Sequence, residues 1–196
     1  MSTSNLDIDA KTTALLVVDV QNFTLDMNTE PFPTSVILGN TLKLADACRG
    51  AGILVALVRV GHDGPAVPQL KPTIDAPFSG FSLSAHDKEI PPELAEKGDI
   101  VVDKYNWGAF YGTNLDTHLR RRAIHTLIVT GLVTNIGVDT TMRQAHERGY
   151  DQILVSDAVS AMTGAEHDYT LQVIAPRISR VRATADVIAA IENARF

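Results

Sequence analysis

The sequence predicts an α/β protein of three layers, αβα, built on a mostly parallel six-stranded sheet with helices on both faces. Three observations carry this. Short runs apolar on both faces recur along the chain, as buried parallel strands require. Amphipathic segments lie between them, and regular strand–helix alternation implies a parallel sheet covered on both sides. Gly52 and Gly149 each separate a helical pattern from the next strand, where a helix stop belongs.

The first apolar run is Ala14–Val18, ending in Asp19. An amphipathic segment follows at Val36–Arg49. The second run, Ile53–Val58, leads into Arg59. The stretch Gly61 to Pro92 then breaks the rhythm. It is rich in Pro, Ser, Gly and Asp with Phe78 and Phe81 embedded, and reads either as a lid or interface element or as a covering segment with a short helix. The third run is Ile100–Val102, ending in Asp103-Lys104, and the helical pattern Leu115–Arg122 follows. The fourth, Leu127–Val129, passes through Thr130-Gly131 into the helical pattern Val138–Arg148. The fifth, Ile153–Val155, ends in Ser156-Asp157. Helical patterns at Glu166–Ile174 and Ala185–Ala194 flank a weak sixth strand near Val181.

The 196 residues suit one domain, 1–196, with room for a full core. A net charge of −6 argues against nucleic acid or an anionic membrane surface as partner. The first residues, MSTSNLDIDAK, lack the basic and apolar stretches of a signal peptide, and no apolar run approaches the ~18 residues of a membrane span, so a cytoplasmic protein is expected. The single cysteine, Cys48, excludes an internal disulfide and sits in a helical pattern, where a buried thiol acts as a small hydrophobe.

In an open α/β sheet, ligands bind beyond the carboxyl ends of the strands. Asp19, Arg59, Lys104 and Asp157 stand at such ends, and the turn Gly131–Gly137 occupies a fifth. That turn lies between a strand and a helix, where an α/β enzyme would present a nucleophile. Gly137 has no side chain to attack with, so chemistry at this turn must dispense with one. Arg59 reads as a carboxylate clamp, or as a strand residue facing away. Trp107, Phe110 and Tyr111 read as the wall of an apolar pocket, or as loop packing. Thr134 and Asn135 either orient substrate or cap the helix. Asp157 reads as structural, pairing with the turn. Arg120, Arg121 and Arg122 end a helix, where cations favour the macrodipole.

The segments LLVVDVQN, VVDKYNWGAFYGTNLDTHLR, LIVTGLVTNIGVDTTMRQAHERGY and ILVSDAVSA resemble the four signature blocks of the isochorismatase-like hydrolases, a superfamily of nicotinamidases, N-carbamoyl amidohydrolases and isochorismatases. The resemblance runs from about Thr13 to Arg182. Amidase members share an Asp, Lys and Cys triad; Asp19 and Lys104 match the first two, and Gly137 stands at the cysteine position. The resemblance implies isochorismatase-type chemistry instead: cleavage of a vinyl ether in a small carboxylated substrate. Asp19 is then the general acid, Lys104 its electrostatic partner, and the Val133–Gly137 turn, with Thr134, Asn135 and Ile136, an anion cradle.

A cis peptide is expected at Val133–Thr134. Nicotinamidase-like members hold a metal through Asp-x-His; here the stretch reads Val60-Gly61-His62, so neither metal nor cofactor is expected. Isochorismatases place a Gln near the Val60 position. The resemblance also implies a homodimer or homotetramer. Two other functions remain open: a catalytically silent member binding a small acid or a protein, and a noncovalent amidase in which Asp19 activates water.

Overall fold

A computed structural model describes residues 6–61, 72–76, 83–96 and 98–194. Six strands form one sheet: β1 Thr13–Val18, β2 Leu54–Val60, β3 Ile100–Lys104, β4 Thr126–Leu132, β5 Asp151–Ser160 and β6 Arg180–Arg182. Their order is β3-β2-β1-β4-β5-β6, and every pairing is parallel. The helices are α1 Asn22–Leu25, α2 Thr34–Gly50, α3 Leu115–Arg120, α4 Asp139–Glu147, α5 Gly164–Tyr169, α6 Ala175–Ile178 and α7 Thr184–Glu192.

Alternation along β1 builds both layers. Ala14, Leu16 and Val18 face one core, with Leu115 and Leu119 of α3 and Met142 and Ala145 of α4. Leu15 and Val17 face the other, with Leu44, Ala45 and Cys48 of α2 and Val187 and Ile191 of α7. β1 is buried at all six positions, which is why its sequence is apolar from Ala14 on rather than alternating. Cys48 is fully buried, and burial pushes its thiol up to about 12, so it stays an unreactive packing group.

Gly52 and Gly149 adopt φ of 70° and 76° after α2 and α4, as helix stops do. Gly131 answers a different need. Its φ is 128°, and a Cβ there would lie 1.9 Å from the Val18 carbonyl oxygen, so β4 crosses close against β1. The β4–β5 register shifts at the same place, between Val129 and Gly131.

Between β1 and β4 the connections change direction across the sheet, leaving a crevice at the carboxyl ends of these two strands. The described parts of the Gly61–Pro92 stretch support that crevice from one side. A 3-10 turn at His86–Lys88 packs on α1: Asn22 Nδ2 donates to His86 O at 2.9 Å, and Asn22 N donates to Glu89 O at 3.0 Å. This part is a covering segment. Phe78, Phe81 and His62 lie outside the described residues. No helix among the described residues is long and apolar enough to cross a membrane.

Candidate functional site

Asp19 directly follows β1, and its amide still donates to Val58 O of β2 at 2.9 Å. Its φ of 55° is unusual for a residue with a side chain and costs about 1 kcal/mol. Neighbouring bonds fix this bend. Thr24 Oγ1 in α1 donates to Asp19 O at 2.5 Å. Fully buried Gln21 pairs with β2 where β1 has ended: Val60 N donates to Gln21 Oε1 at 2.7 Å, and Gln21 Nε2 donates to Val60 O at 3.2 Å and Lys88 O at 2.6 Å.

Lys104, the last residue of β3, is 1% exposed. Its Nζ lies 2.8 Å from Asp19 Oδ2 and donates to Asn106 O at 3.1 Å and Trp107 O at 2.6 Å. An ammonium has three N–H bonds, and all three are engaged within the protein. Asp19 Oδ1 is buried without a hydrogen-bond partner among the described residues. Burial pushes the Asp19 carboxyl up to about 6, the Lys104 charge opposing but not cancelling the rise.

The third component is the π-turn Thr134–Val138, which joins β4 to α4. Its glycine faces the acid. A Cβ on Gly137 would stand 2.7 Å from Asp19 Oδ2, closer than real Cβ contacts come. The carboxylate therefore fills the space that a side chain at position 137 would need. A pocket of about 200 Å3 opens above this pair. Phe23 of α1 and Met27 just after it, Val60, Trp107, Leu132 and Ile136 give it mainly apolar walls, with Asp19 and Lys104 at its polar end. Trp107 is also 57% exposed, so it forms the rim.

Of the residues expected here, Asp19, Lys104, Gly137, Val133, Ile136 and Trp107 line this pocket. Four do not. Arg59 Nε pairs with Asp103 Oδ1 at 2.6 Å. Arg59 and Asp103 are register partners, as are Val60 and Lys104 one step on. Strand alternation sends the second pair to the pocket and the first to the opposite face. Tyr111 points to solvent, 59% exposed, because its neighbour Phe110 is the one packed into the core.

Thr134 and Asn135 turn away, since residues 133, 136 and 137 share one face of the turn. Thr134 is buried with its hydroxyl 3.2 Å from His167 Nδ1, and the turn carries no side-chain cap. Asn135 Oδ1 is buried without a partner among the described residues. The cis peptide is Leu132–Val133, one bond earlier than expected, because β4 runs on to Leu132 and the turn begins where it ends. Asp157 Oδ1 instead accepts from Thr184 N and Oγ1, each at 2.7 Å, and so anchors the start of α7 rather than the turn.

Sequence reasoning missed Gln21, Phe23, Thr24 and Met27, all just past Asp19. The Phe23/Met27 spacing of four was a faint helical signal in a segment too short for periodicity. Among the described residues, no three His, Cys, Asp or Glu side chains gather as a metal site.

A carboxyl–ammonium pair at the switch point of a doubly wound sheet, under an apolar pocket, is where α/β folds commonly bind small molecules. Residues 13–186 match the isochorismatase domain, and the chain belongs to the isochorismatase family of hydrolases. It is 39% identical over 187 residues to the isochorismatase family protein YecD of Escherichia coli O157:H7, spanning 95% of this chain and 100% of that protein. It is 34% identical over 174 residues to a ureidoacrylate amidohydrolase, RutB, of Methylorubrum extorquens, spanning 76% of this chain and 70% of the relative. The solved structure of an isochorismatase family protein from Burkholderia thailandensis superposes with a TM-score of 0.89 at 36% identity, covering 95% of this chain and 99% of the other.

Proposed function

We propose that the protein hydrolyses a vinyl ether in a small carboxylated substrate, with Asp19 as general acid and no covalent intermediate. The observation that carries this reading is the position of the Asp19 carboxyl. It occupies the space beside Gly137 where a nucleophilic side chain would stand, and its second oxygen has no partner among the described residues.

In this reading the protonated Asp19 gives its proton to the terminal carbon of the enol ether. Positive charge develops on the ether carbon as an oxocarbenium ion. Water adds there and gives a proton back to the Asp19 carboxylate, and the resulting hemiketal collapses to a ketone and an alcohol. A positioned acid of this kind contributes about 10²–10⁴-fold. Burial supports the protonated form before the step, and the Lys104 ammonium at 2.8 Å stabilises the carboxylate left after it. With a carboxyl near 6, roughly one molecule in ten carries the proton at pH 7, and an anionic substrate raises that share. Gly137 leaves room for the Asp19 carboxyl, and backbone amides at the turn hold the substrate carboxylate. No step calls for a metal or cofactor, and the reading includes a homo-oligomer in the cytoplasm.

The likeness to an amidohydrolase favours a second reading, in which Asp19 activates water against a C–N bond. Turnover of isochorismate and a panel of simpler carboxylated vinyl ethers, beside small amides, separates the two. The wild type is expected to cleave a vinyl ether, and Asp19→Asn to lose at least about 10²-fold. Amide hydrolysis alone would establish the second reading, and turnover of nothing would leave a binding protein.

A further inference from the structure

Lys104 reaches Asp19 from the end of β3 because two carbonyls, Asn106 O and Trp107 O, hold its ammonium in place. Both belong to the loop between β3 and α3. Two side chains one turn apart on α4 fasten that loop. Ala109 N donates to Thr141 Oγ1 at 3.1 Å, and Phe110 N donates to Gln144 Oε1 at 3.0 Å. Gly108 lets Gln144 lie flat across the loop, since a Cβ there would come within 2.4 Å of Gln144 Oε1.

Thr141 does more than Gln144. Its hydroxyl also donates to Gly137 O at 2.7 Å, inside the turn that faces Asp19. A helical threonine commonly bonds the carbonyl four residues back, and that bond alone would mean little. Here the same oxygen also accepts a buried amide from the loop that follows β3, and Thr141 is completely buried. One hydroxyl thus ties the loop that holds Lys104 to the turn that faces Asp19.

We propose that Thr141 is a positioning residue for the proton donor: by joining Ala109 to Gly137 it sets the Lys104–Asp19 separation. The functional consequence rests on Asp19 acting as the acid; the geometric one does not. The charged group touching Asp19 is Lys104. Tyr105 lines the same pocket, and His167 reaches the far side of the turn from α5, where burial lowers its pKa. Loosening the loop lets Lys104 drift from Asp19, leaves burial less opposed, and moves the carboxyl titration upward.

The test is a pH titration of the aspartate-13C-labelled protein without substrate, the Asp19 signal being assigned by its absence in Asp19→Asn. Thr141→Val keeps the shape and removes both bonds. Its Asp19 midpoint is expected to rise by about one pH unit, the lower end of a neighbouring-charge effect, while Thr141→Ser titrates with the wild type. On a vinyl ether substrate, the pH at which kcat falls is expected to move up with that midpoint in Thr141→Val and to stay in place in Thr141→Ser. An unchanged midpoint in folded Thr141→Val overturns the proposal. If that variant does not fold, Gln144→Leu cuts the adjacent tie and must shift the midpoint in the same direction, an unchanged value again overturning it. Because the titration needs no turnover, a shifted midpoint in a protein that cleaves no vinyl ether would sink the functional reading and leave the positioning role standing.

Discussion

Adding one methyl group at Gly137 puts the proposed chemistry under direct strain. The new Cβ would lie 2.7 Å from Asp19 Oδ2, and ordinary contact begins near 3.4 Å, so about 0.7 Å must be found. The turn has little freedom to supply it, because the same Cβ would already touch Leu132 O at 3.4 Å and Val18 Cγ1 at 3.5 Å. The carboxylate is the part that moves, and Oδ2 is the oxygen that meets Lys104 at 2.8 Å. A misplacement near 1 Å of a reacting group costs about 10²-fold, so Gly137→Ala is expected to lower kcat/KM by roughly 30-fold. Stability should change less: overpacking costs ~1–3 kcal/mol, offset by ~1 kcal/mol from replacing glycine in a helical segment. Steady-state kinetics on the best vinyl ether substrate, with thermal unfolding as a control, measures both. A folded Gly137→Ala within twofold of wild-type activity would refute the argument that Asp19 must sit where it does. The same clash means Gly137→Cys brings a thiol only by displacing the acid, so it should lower vinyl ether cleavage at least as far.

Asp19 also makes stability depend on pH, and the sign is opposite to that of a salt-bridged surface carboxylate. Its folded pKa of about 6 lies above the ordinary 3.8, so the folded state holds the proton more tightly. Stability relative to Asp19→Asn is therefore greatest below 3.8 and falls by about 3 kcal/mol as pH rises through 6, as urea unfolding of both proteins across that window will show. Turnover that needs the protonated acid should fall over the upper part of the same window, and a rate rising from pH 5 to pH 8 would contradict the assigned role. Gly131→Ala is expected to give no folded protein, since its Cβ would sit 1.9 Å from Val18 O at a φ of 128°; a soluble, cooperatively melting variant would show that β4 can retreat from β1.

The strands were legible because burial on both faces leaves an uninterrupted apolar run, as in β1 and the start of β2. Their ends were not. β4 continues to Leu132 and β5 to Ser160, through Thr, Gly, Ser and Asp, because parallel pairing satisfies the backbone whatever the side chain. α1 escaped notice at four residues, too short for a helical period. Asp19 and Lys104 were legible as strand-end residues, and Gly137 as the glycine of the turn after β4, within family blocks. The direction of Arg59 followed from the parity of β2, which its pairing with Asp103 makes plain. What holds Lys104 had no signature, because two of its three partners are main-chain carbonyls that any residue would supply. The ties from Thr141 and Gln144 link residues more than thirty positions apart, and only the fold brings them together.

With every N–H of Lys104 engaged by the protein, the ammonium cannot swing toward an arriving ligand. The electric field at the pocket floor is assembled when the chain folds, and binding has nothing there to reorganise. Catalysis at such a site draws on work done once, during folding, instead of repeating it in each turnover. The empty and loaded protein should then differ at this floor only in where one proton resides.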